Sequence, residues 1–253
     1  MYELNLKKQL TMIYDGKPLP PYAVVEAVRR PFLFDISTVM TDLPGLKGLA
    51  FQHQNYGGRK IEVDVRVVCD THQSYSENRI RMRELVRSLR LYFYKSVPKE
   101  LQLSDQPATY DLAIVDDIAA KEKRLSTLIT ITFLAPEGFS RARKQTYPGY
   151  AAGTSTVHYD GDIETPVEIL GKVASESAMV WNKTTGDRLN LLHLTTGANL
   201  HVDAEHEIVE ENGKSKMLSV TPASDFPWLA KGKNEIEITG MSDITLRFER
   251  RFL

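Results

Sequence analysis

A single amphipathic helix is the feature that most constrains how this chain folds. The stretch 74–94 opens with Ser74 and Glu77 three residues apart, the spacing of a capping box, and Pro98 stops the helix from continuing. Apolar side chains recur along it at helical spacing, at Met82, Leu85, Val86, Leu89, Tyr92 and Phe93. Because such a stripe must be buried, the rest of the chain has to supply a sheet that covers it.

The clearest strand lies just before this helix and is the best candidate for that sheet. In Lys60–Cys69, Ile61, Val63, Val65 and Val67 alternate with charged residues. This period of two predicts one buried face and one face in water. The cysteine that ends the strand is the only one in the chain, which excludes an intrachain disulfide, and we expect it to be a buried, inert thiol.

Residues 1–140 are predicted to form one β domain around the helix. Asp15-Gly16 is a strong hairpin signal, because both central residues of a type I′ turn take positive φ. Asp116-Asp117 and the charged run KEKR predict a turn between the last two strands. The predicted strands are Thr11–Tyr14, Tyr22–Arg30, Phe32–Val39, Leu101–Leu103, Tyr110–Val115 and Leu125–Phe133. We predict a β-sandwich or partly open barrel with one flanking helix.

The segment 41–58 has an unusual composition for a loop. It holds a proline and four glycines, yet also the large apolar residues Leu43, Leu46, Leu49 and Phe51. An exposed loop would rarely keep four such side chains. Either the segment packs on its own domain, or it is an arm whose apolar residues contact a neighbouring subunit.

Residues 141–253 are predicted to form a second β domain without a helix. Residues 135–150 lack periodicity, and we expect them to begin the connection between the domains. Beyond them, strands alternate with turns, and Thr184-Thr185-Gly186 and Asn212-Gly213 indicate hairpins. Met217–Val220 is predicted to be a returning strand. Many short strands with frequent turns predict a jelly-roll β-sandwich.

Charge differs between the two halves of the chain, although the net charge is only −1. Residues 1–145 carry 22 basic and 17 acidic side chains, whereas residues 146–253 carry 10 and 16. This difference in net charge between the two halves supports two domains. The excess of basic residues in the first half is too small to indicate a nucleic-acid-binding face. No apolar run of about 18 residues occurs, so we expect no insertion into a membrane.

The helix also carries a stripe of arginines, at Arg79, Arg83, Arg87 and Arg90, with Arg81 beside it. Such a stripe could contact DNA phosphates. Acidic residues interrupt it, however, and no aromatic platform lies beside it. We favour a helix side that faces solvent or the next subunit.

No catalytic motif stands out. The chain lacks GxxxxGK[ST], GxGxxG and GxSxG, and no pair among its 33 acidic residues is singled out for glycoside hydrolysis. His201, Asp203 and His206 come nearest to a metal cluster, but the polar face of a half-exposed strand accounts for them better. Asp160 and Asp162 lack the calcium-loop spacing and indicate a solvated turn. We therefore expect no enzymatic activity, metal or cofactor.

The two tryptophans suggest one alternative function, the binding of carbohydrate. Trp181 is expected in a strand core, and Trp228 either closes one end of the sandwich or stacks on a sugar ring. Burial is the interpretation we favour for both. The alternative is a carbohydrate-binding host-adsorption module that acts through Trp228.

The order and spacing of several segments resemble the distal tail protein family of siphophages, in particular those that infect Gram-positive hosts. The segments extend over nearly the whole chain, and none is a catalytic motif. They are RKIEVDVRVV, SENRIRMRELVRSLR, ARKQTYPGY, GDIETPVEILG, WNKTTGDRLNL and FPWLAKGKNEIEITG.

This resemblance implies an assembly protein. Such proteins form a homo-hexameric ring at the tip of a long non-contractile tail, with two stacked rings as an option. The N-terminal domain, similar to tail-tube proteins, surrounds a channel through which DNA passes without specific binding. The ring joins the tail tube protein to a tail-tip or tail-associated protein. The chain would be assembled in the host cytoplasm and reside in the virion, at the distal tip of the tail.

The resemblance also implies a galectin-like C-terminal domain that projects outward. Galectin sugar sites use a His-x-Asn-Pro-Arg string and a Trp-Gly string. This chain has His201-Val202-Asp203 and Phe226-Pro227-Trp228 instead. The departure argues against a galectin-type sugar site here.

Overall fold

The computed structural model describes residues 10–31, 36–42, 49–68, 75–122 and 126–253. The chain divides into two compact units, Met1–Ser140 and Arg141–Leu253, and each has its own hydrophobic core. Within the described ranges, no helix is long and apolar enough to cross a membrane.

The first unit consists of antiparallel strands and one α-helix. In chain order they are β1 (Met12–Tyr14), β2 (Lys17–Pro18), β3 (Ala23–Arg29), β4 (Ile36–Asp42), β5 (Leu49–Tyr56), β6 (Arg59–Val68), α1 (Tyr75–Phe93), β7 (Lys99–Leu103), β8 (Thr109–Glu122) and β9 (Ser126–Ala135). The boundary between the units falls within β10 (Ser140–Ala142).

One sheet organises the first unit, in the order β2-β1-β7-β8-β9-β6-β3. The predicted strand before the helix is confirmed as β6, which pairs with β9 along its whole length. Its alternation is confirmed as well, because Ile61, Val63, Val65 and Val67 are all 0% exposed. Cys69 lies outside the described residues.

The predicted helix is confirmed as α1 and covers the buried face of this sheet. Leu85, Leu89 and Phe93 are buried in the same core as the β6 valines, and Met82, Val86 and Tyr92 pack against that core. The Phe93 ring meets the Phe133 ring of β9 edge-on, with centroids 5.9 Å apart. Ser74, the predicted capping residue, lies outside the described residues.

Two tyrosine hydroxyls lie where β1 meets the end of α1. The Tyr14 hydroxyl donates to the Ala113 carbonyl (3.2 Å), and the Tyr92 hydroxyl donates to the Lys17 carbonyl (2.7 Å). Burial, with the Asp15 carboxylate as a second cause, raises the pKa of Tyr14 to about 12. Burial likewise raises the pKa of Tyr92 to about 12.

Because the pKa values of Tyr14 and Tyr92 are raised, we predict that the first unit loses stability as pH rises from about 10 to about 12. Both folded pKa values lie above the ordinary value of 10.0, so the stabilisation is complete below pH 10 and is lost as pH approaches 12. Urea unfolding at stepped pH, followed by circular dichroism, measures the decline. Tyr14→Phe removes one titrating group and should make the decline shallower; an unchanged decline would contradict the assignment.

A buried charged network ties β6 and β8 to the end of the unit. Asp111 is 1% exposed and accepts hydrogen bonds from Arg59 and from the Ser140 hydroxyl (2.9 Å). Arg59 also donates to the Ser140 hydroxyl (2.6 Å), and Arg30 donates to Asp111 (3.3 Å). The Asp111 carboxylate therefore balances guanidinium groups that have little access to water.

The predicted turn at Asp116-Asp117 is wrong. β8 continues through these residues to Glu122, and its register with β9 shifts between Val115 and Asp117. Such a bulge takes one extra residue into a strand without ending it. β8 stays paired with β9 as far as Glu122, which lies opposite Thr127.

The second unit is all β apart from one 3₁₀ turn. Its elements are β11 (Gln145–Tyr150), β12 (Gly153–Tyr159), β13 (Thr165–Pro166), β14 (Glu168–Val173), β15 (Ala178–Asn182), β16 (Arg188–Leu191), β17 (Asn199–Asp203), β18 (Ile208–Glu211), β19 (Lys214–Ser215), η1 (Met217–Ser219), β20 (Trp228–Leu229), β21 (Gly232–Thr239), β22 (Met241–Phe248) and β23 (Arg251–Phe252).

Two sheets of this unit enclose its core, as predicted for a β-sandwich. Their orders are β11-β22-β14-β17-β18-β19 and β12-β21-β15-β16. Both predicted hairpins are confirmed: β15 pairs with β16, and β18 pairs with β19 across Asn212 and Gly213, whose φ values are 50° and 73°. The apolar side chains from both sheets form one buried cluster.

Two local predictions for this unit are wrong. Residues 145–150 are not an irregular connection but the edge strand β11, paired with β22. Pro148 and Gly149 are accommodated at a register shift, which an edge strand tolerates. Met217–Ser219 forms the 3₁₀ turn η1 rather than a strand, and Leu218 on it is fully exposed.

Candidate assembly surfaces

Strands β4 and β5 form a hairpin, here named the arm, that is separate from the main sheet. Among the described strands, they pair only with each other, from Asp42 opposite Leu49 to Ile36 opposite Tyr56. Met40 and Phe51 lie directly opposite each other and are 53% and 63% exposed. Leu49, two residues before Phe51 on the same face, is 61% exposed.

The apolar face of the arm is therefore Met40, Leu49 and Phe51. Of the predicted contact residues, Leu49 and Phe51 belong to it, whereas Leu43 and Leu46 lie outside the described residues. Met40 was not predicted, because its position opposite Phe51 depends on the pairing of two strands. An isolated two-stranded hairpin is marginally stable in water, so the arm is suited to being covered by a partner.

The arginine stripe lies on exposed positions of α1. Arg79, Arg83, Arg87 and Arg90 are all exposed, while the opposite side of the helix is buried against the sheet. These four arginines therefore lie on the outer side of the helix, and their contact with a neighbouring subunit stays a prediction.

A polar sheet face lies on the side of the main sheet opposite to α1, formed by the outward side chains of β3, β6, β8 and β9. Arg29 on β3 pairs with Glu62 (2.9 Å) and Asp64 (2.6 Å) on β6. Arg66 pairs with Glu26. Lys60 pairs with Asp116 (3.0 Å). Arg29, Lys60 and Arg66 are therefore held by carboxylates of neighbouring strands, and Lys121 of β8 lies on the same face, near Asp64.

Asp64 is the centre of this polar face. It accepts hydrogen bonds from Arg29 and from the Thr130 hydroxyl (2.7 Å) of β9. The Arg29 hydrogen bonds, more than any other cause, lower the pKa of the Asp64 carboxyl below its ordinary value. Alternation in β6 predicted that Asp64 points outward, but its partners on β3 and β9 depend on strand pairing and were not predicted.

The second unit does not present an uncovered indole at the predicted sugar position. The Arg251 guanidinium lies 5.5 Å from the centre of the Trp228 ring. The backbone of Trp228 donates to Asp187 (3.1 Å), and its carbonyl accepts from the Asn182 amide (2.5 Å). Trp228 is thereby anchored at the β13–β20 pair, with a cation beside its ring.

The candidate metal residues do not converge. His201 contacts Glu168 (3.1 Å) and Glu210 (3.2 Å), whereas His206 contacts Asp203 (2.8 Å). Across the described residues, no group of three or more His, Cys, Asp or Glu could hold a metal ion. The acidic turn is an ion-paired surface turn, since Asp160 pairs with Arg250 (3.0 Å) and Asp162 pairs with Lys231 (2.8 Å).

Comparisons with known proteins match both units. The family model of the phage tail protein RIFT-related domain matches residues 7–135, about half of the chain, and that of the siphovirus-type tail component, C-terminal domain, matches residues 160–252. The distal tail protein of Bacillus phage SPP1 is 23% identical over 260 aligned residues, which cover 98% of each chain.

A solved structure shares the fold over the same length. The crystal structure of the SPP1 Dit protein, described as a paradigm of hub adsorption apparatus in Gram-positive infecting phages, superposes with a TM-score of 0.82. The match covers 97% of this chain and 100% of that one, at 19% sequence identity. At this identity the likeness shows the fold, which is the predicted mainly β architecture with one helix.

Proposed function

This chain belongs to the siphovirus-type phage tail proteins, and we propose that it is the structural hub at the distal end of the tail. In this role it forms a hexameric ring that joins the tail tube to the tail-tip apparatus and leaves a channel for DNA. The observation that carries the proposal is that the likeness to a distal tail protein extends over both units. The role is one of assembly rather than catalysis.

The arm supplies the kind of surface that a ring requires. A closed ring of identical chains needs heterologous contacts, in which one surface of a chain fits a different surface of the next. The exposed apolar face of Met40, Leu49 and Phe51 is suited to be one of these two surfaces. The predicted arm thus becomes the proposed inter-subunit contact.

The polar sheet face is the surface we assign to the channel. DNA must pass without being held, so the lining should offer no unpaired cations to phosphates. Arg29, Lys60 and Arg66 are each engaged by a carboxylate on this face. The arginine stripe of α1 lies on the other side of the sheet. In this proposal it therefore faces away from the channel.

Neutralising the acids of the polar face is predicted to make the ring retain DNA. The double variant Glu62→Gln, Asp64→Asn deprives Arg29 of both of its ionic partners in each copy. A mobility-shift assay at low salt should then show retarded DNA whose binding weakens as salt rises, at a slope of about −0.9 per phosphate contact.

The control for this assay makes the same charge change in the second unit. Asp160→Asn with Asp162→Asn frees Arg250 and Lys231 and should leave DNA mobility unchanged. Retention of DNA by the parent protein at moderate salt would contradict the assignment of the polar face to the channel.

Labelling of intact particles tests the proposed location. Gold-conjugated antibodies raised against this chain should mark the distal end of the tail in phage particles that carry it. Label spread along the tail shaft would instead indicate a tube subunit. Label at the head–tail junction, or none on intact virions, would likewise contradict the proposal.

A further inference from the structure

A second apolar surface of the first unit lies at the C-terminal end of α1. It is a groove of about 490 Å³, here named the helix-end groove. Leu91 and Tyr94 on its helix side are 72% and 82% exposed, which is unusual for such large apolar side chains. Its lining includes Leu91, Tyr94, Val115 and Ile118, with the cations Arg90 and Lys95 at the same place.

The groove lies beside β8, beyond the end of the pairing between β8 and β7. β7 pairs with β8 only from Lys99–Leu101 to Asp111–Ala113. From Val115 to Glu122, β9 occupies one side of β8. The strand β10 also pairs with β8.

We propose that the helix-end groove receives the arm of a second copy of this chain. This inference rests on the proposed ring and names the surface that its arm contacts. Each chain carries one exposed apolar face on a hairpin and one exposed apolar groove, which is the pair of unlike surfaces that a heterologous contact needs. Met40, Leu49 and Phe51 remain exposed in their own chain, so they do not occupy its groove.

The chemistry of the two surfaces is complementary. The groove volume falls within the range of about 300–1,000 Å³ that is typical of ligand-binding clefts, so it has room for several side chains of a partner. Asp42 lies opposite Leu49 at the end of the arm, where it can meet Arg90 beside the groove. Lys95 is already paired with Asp15 (2.6 Å) in its own chain.

Cross-linking between two singly labelled chains tests the contact. The native Cys69 is replaced by alanine in both; one carries Gln52→Cys, at an exposed position next to Phe51 on the arm, and the other Arg87→Cys, at an exposed position one helical turn before Leu91. The two full-length chains are mixed, assembled and treated with a short bis-maleimide. We expect covalent dimers of one chain of each kind, at a yield about tenfold above control, because an assembled contact holds the thiols at millimolar effective concentration.

The control pairs Gln52→Cys with Ile208→Cys, an exposed apolar position of the second unit. Rings that form without arm-to-groove dimers would overturn this inference while leaving the proposed function intact. Neither rings nor dimers would overturn both. A groove cysteine that is protected only when a tail-tip protein is added would assign the groove to that protein and also overturn the inference.

Discussion

Phe51→Asp is expected to leave the chain folded and to abolish its assembly into rings. The Phe51 side chain is 63% exposed on the arm, so its replacement removes little from the core of the first unit. In an assembled contact the same position is covered, and the introduced carboxylate would have to shed its water without a partner.

The size of this effect follows from two contributions. Losing the buried ring costs about 1.5–3 kcal/mol, and desolvating an unpaired carboxylate adds several more. Since about 1.4 kcal/mol corresponds to a factor of ten, each contact should weaken by at least about a thousandfold. Sedimentation velocity should show a monomer at concentrations where the parent forms rings.

Leu192→Asp is the matched control for this variant. It introduces the same charge at an apolar side chain that is 44% exposed, but in the second unit. It should assemble like the parent. Rings of normal mass from Phe51→Asp, or loss of assembly in both variants, would contradict the role of the arm.

Asp111→Ala is expected to destabilise the first unit by about 3–5 kcal/mol, the usual cost of removing one partner of a buried ion pair. Asp111 is 1% exposed and its partner Arg59 is 8% exposed, so the guanidinium cannot turn to water when the carboxylate is lost. The Ser140 hydroxyl loses an acceptor in the same change.

Asp116→Ala provides the comparison on the same strand. Asp116 pairs with Lys60 on the surface, and such exposed pairs contribute about 0–1 kcal/mol. Hydrogen exchange at β6 and β9 measures both variants, and tryptophan fluorescence reports the second unit, which contains Trp181 and Trp228. Equal exchange in the two variants would show that the buried network does not stabilise the first unit.

The parts of the fold that depend on periodicity were predictable from sequence. Apolar residues recur about every 3.6 residues in α1 and every two residues in β6. In the described part of the chain, both elements begin and end within one residue of the predicted bounds. Hairpins with Asp-Gly or Asn-Gly turns were also predictable, because the turn type depends on two adjacent residues. Asp15, Gly16, Asn212 and Gly213 all have positive φ.

The elements that depend on pairing were not predictable. β5 was not expected as a strand, because the glutamine, histidine and asparagine residues in its sequence have a weak strand preference. Among the described strands its hydrogen-bonding partner is β4, and this pairing has no signal in the local sequence. β8 was cut short, because two adjacent carboxylates resemble a turn unless the bulge is known. The Arg59–Asp111 pair joins residues 52 positions apart and has no local signal.

The candidate surfaces divide in the same way. Composition alone pointed to an apolar arm, and spacing alone put the arginine stripe on the outer side of α1. The polar sheet face and the helix-end groove each combine residues from distant segments, so only the folded chain brings them together. Met40 joins Leu49 and Phe51 for that reason too.

Native mass spectrometry of the purified, full-length chain tests the central claim most directly. We predict a closed assembly of about six copies as the dominant species, because a heterologous contact whose rotation closes gives a ring of fixed number. The species should dissociate to the monomer when Phe51 is replaced by aspartate. A chain that stays monomeric at every concentration and with its tail partners, or that forms filaments of no fixed mass, would contradict the hub.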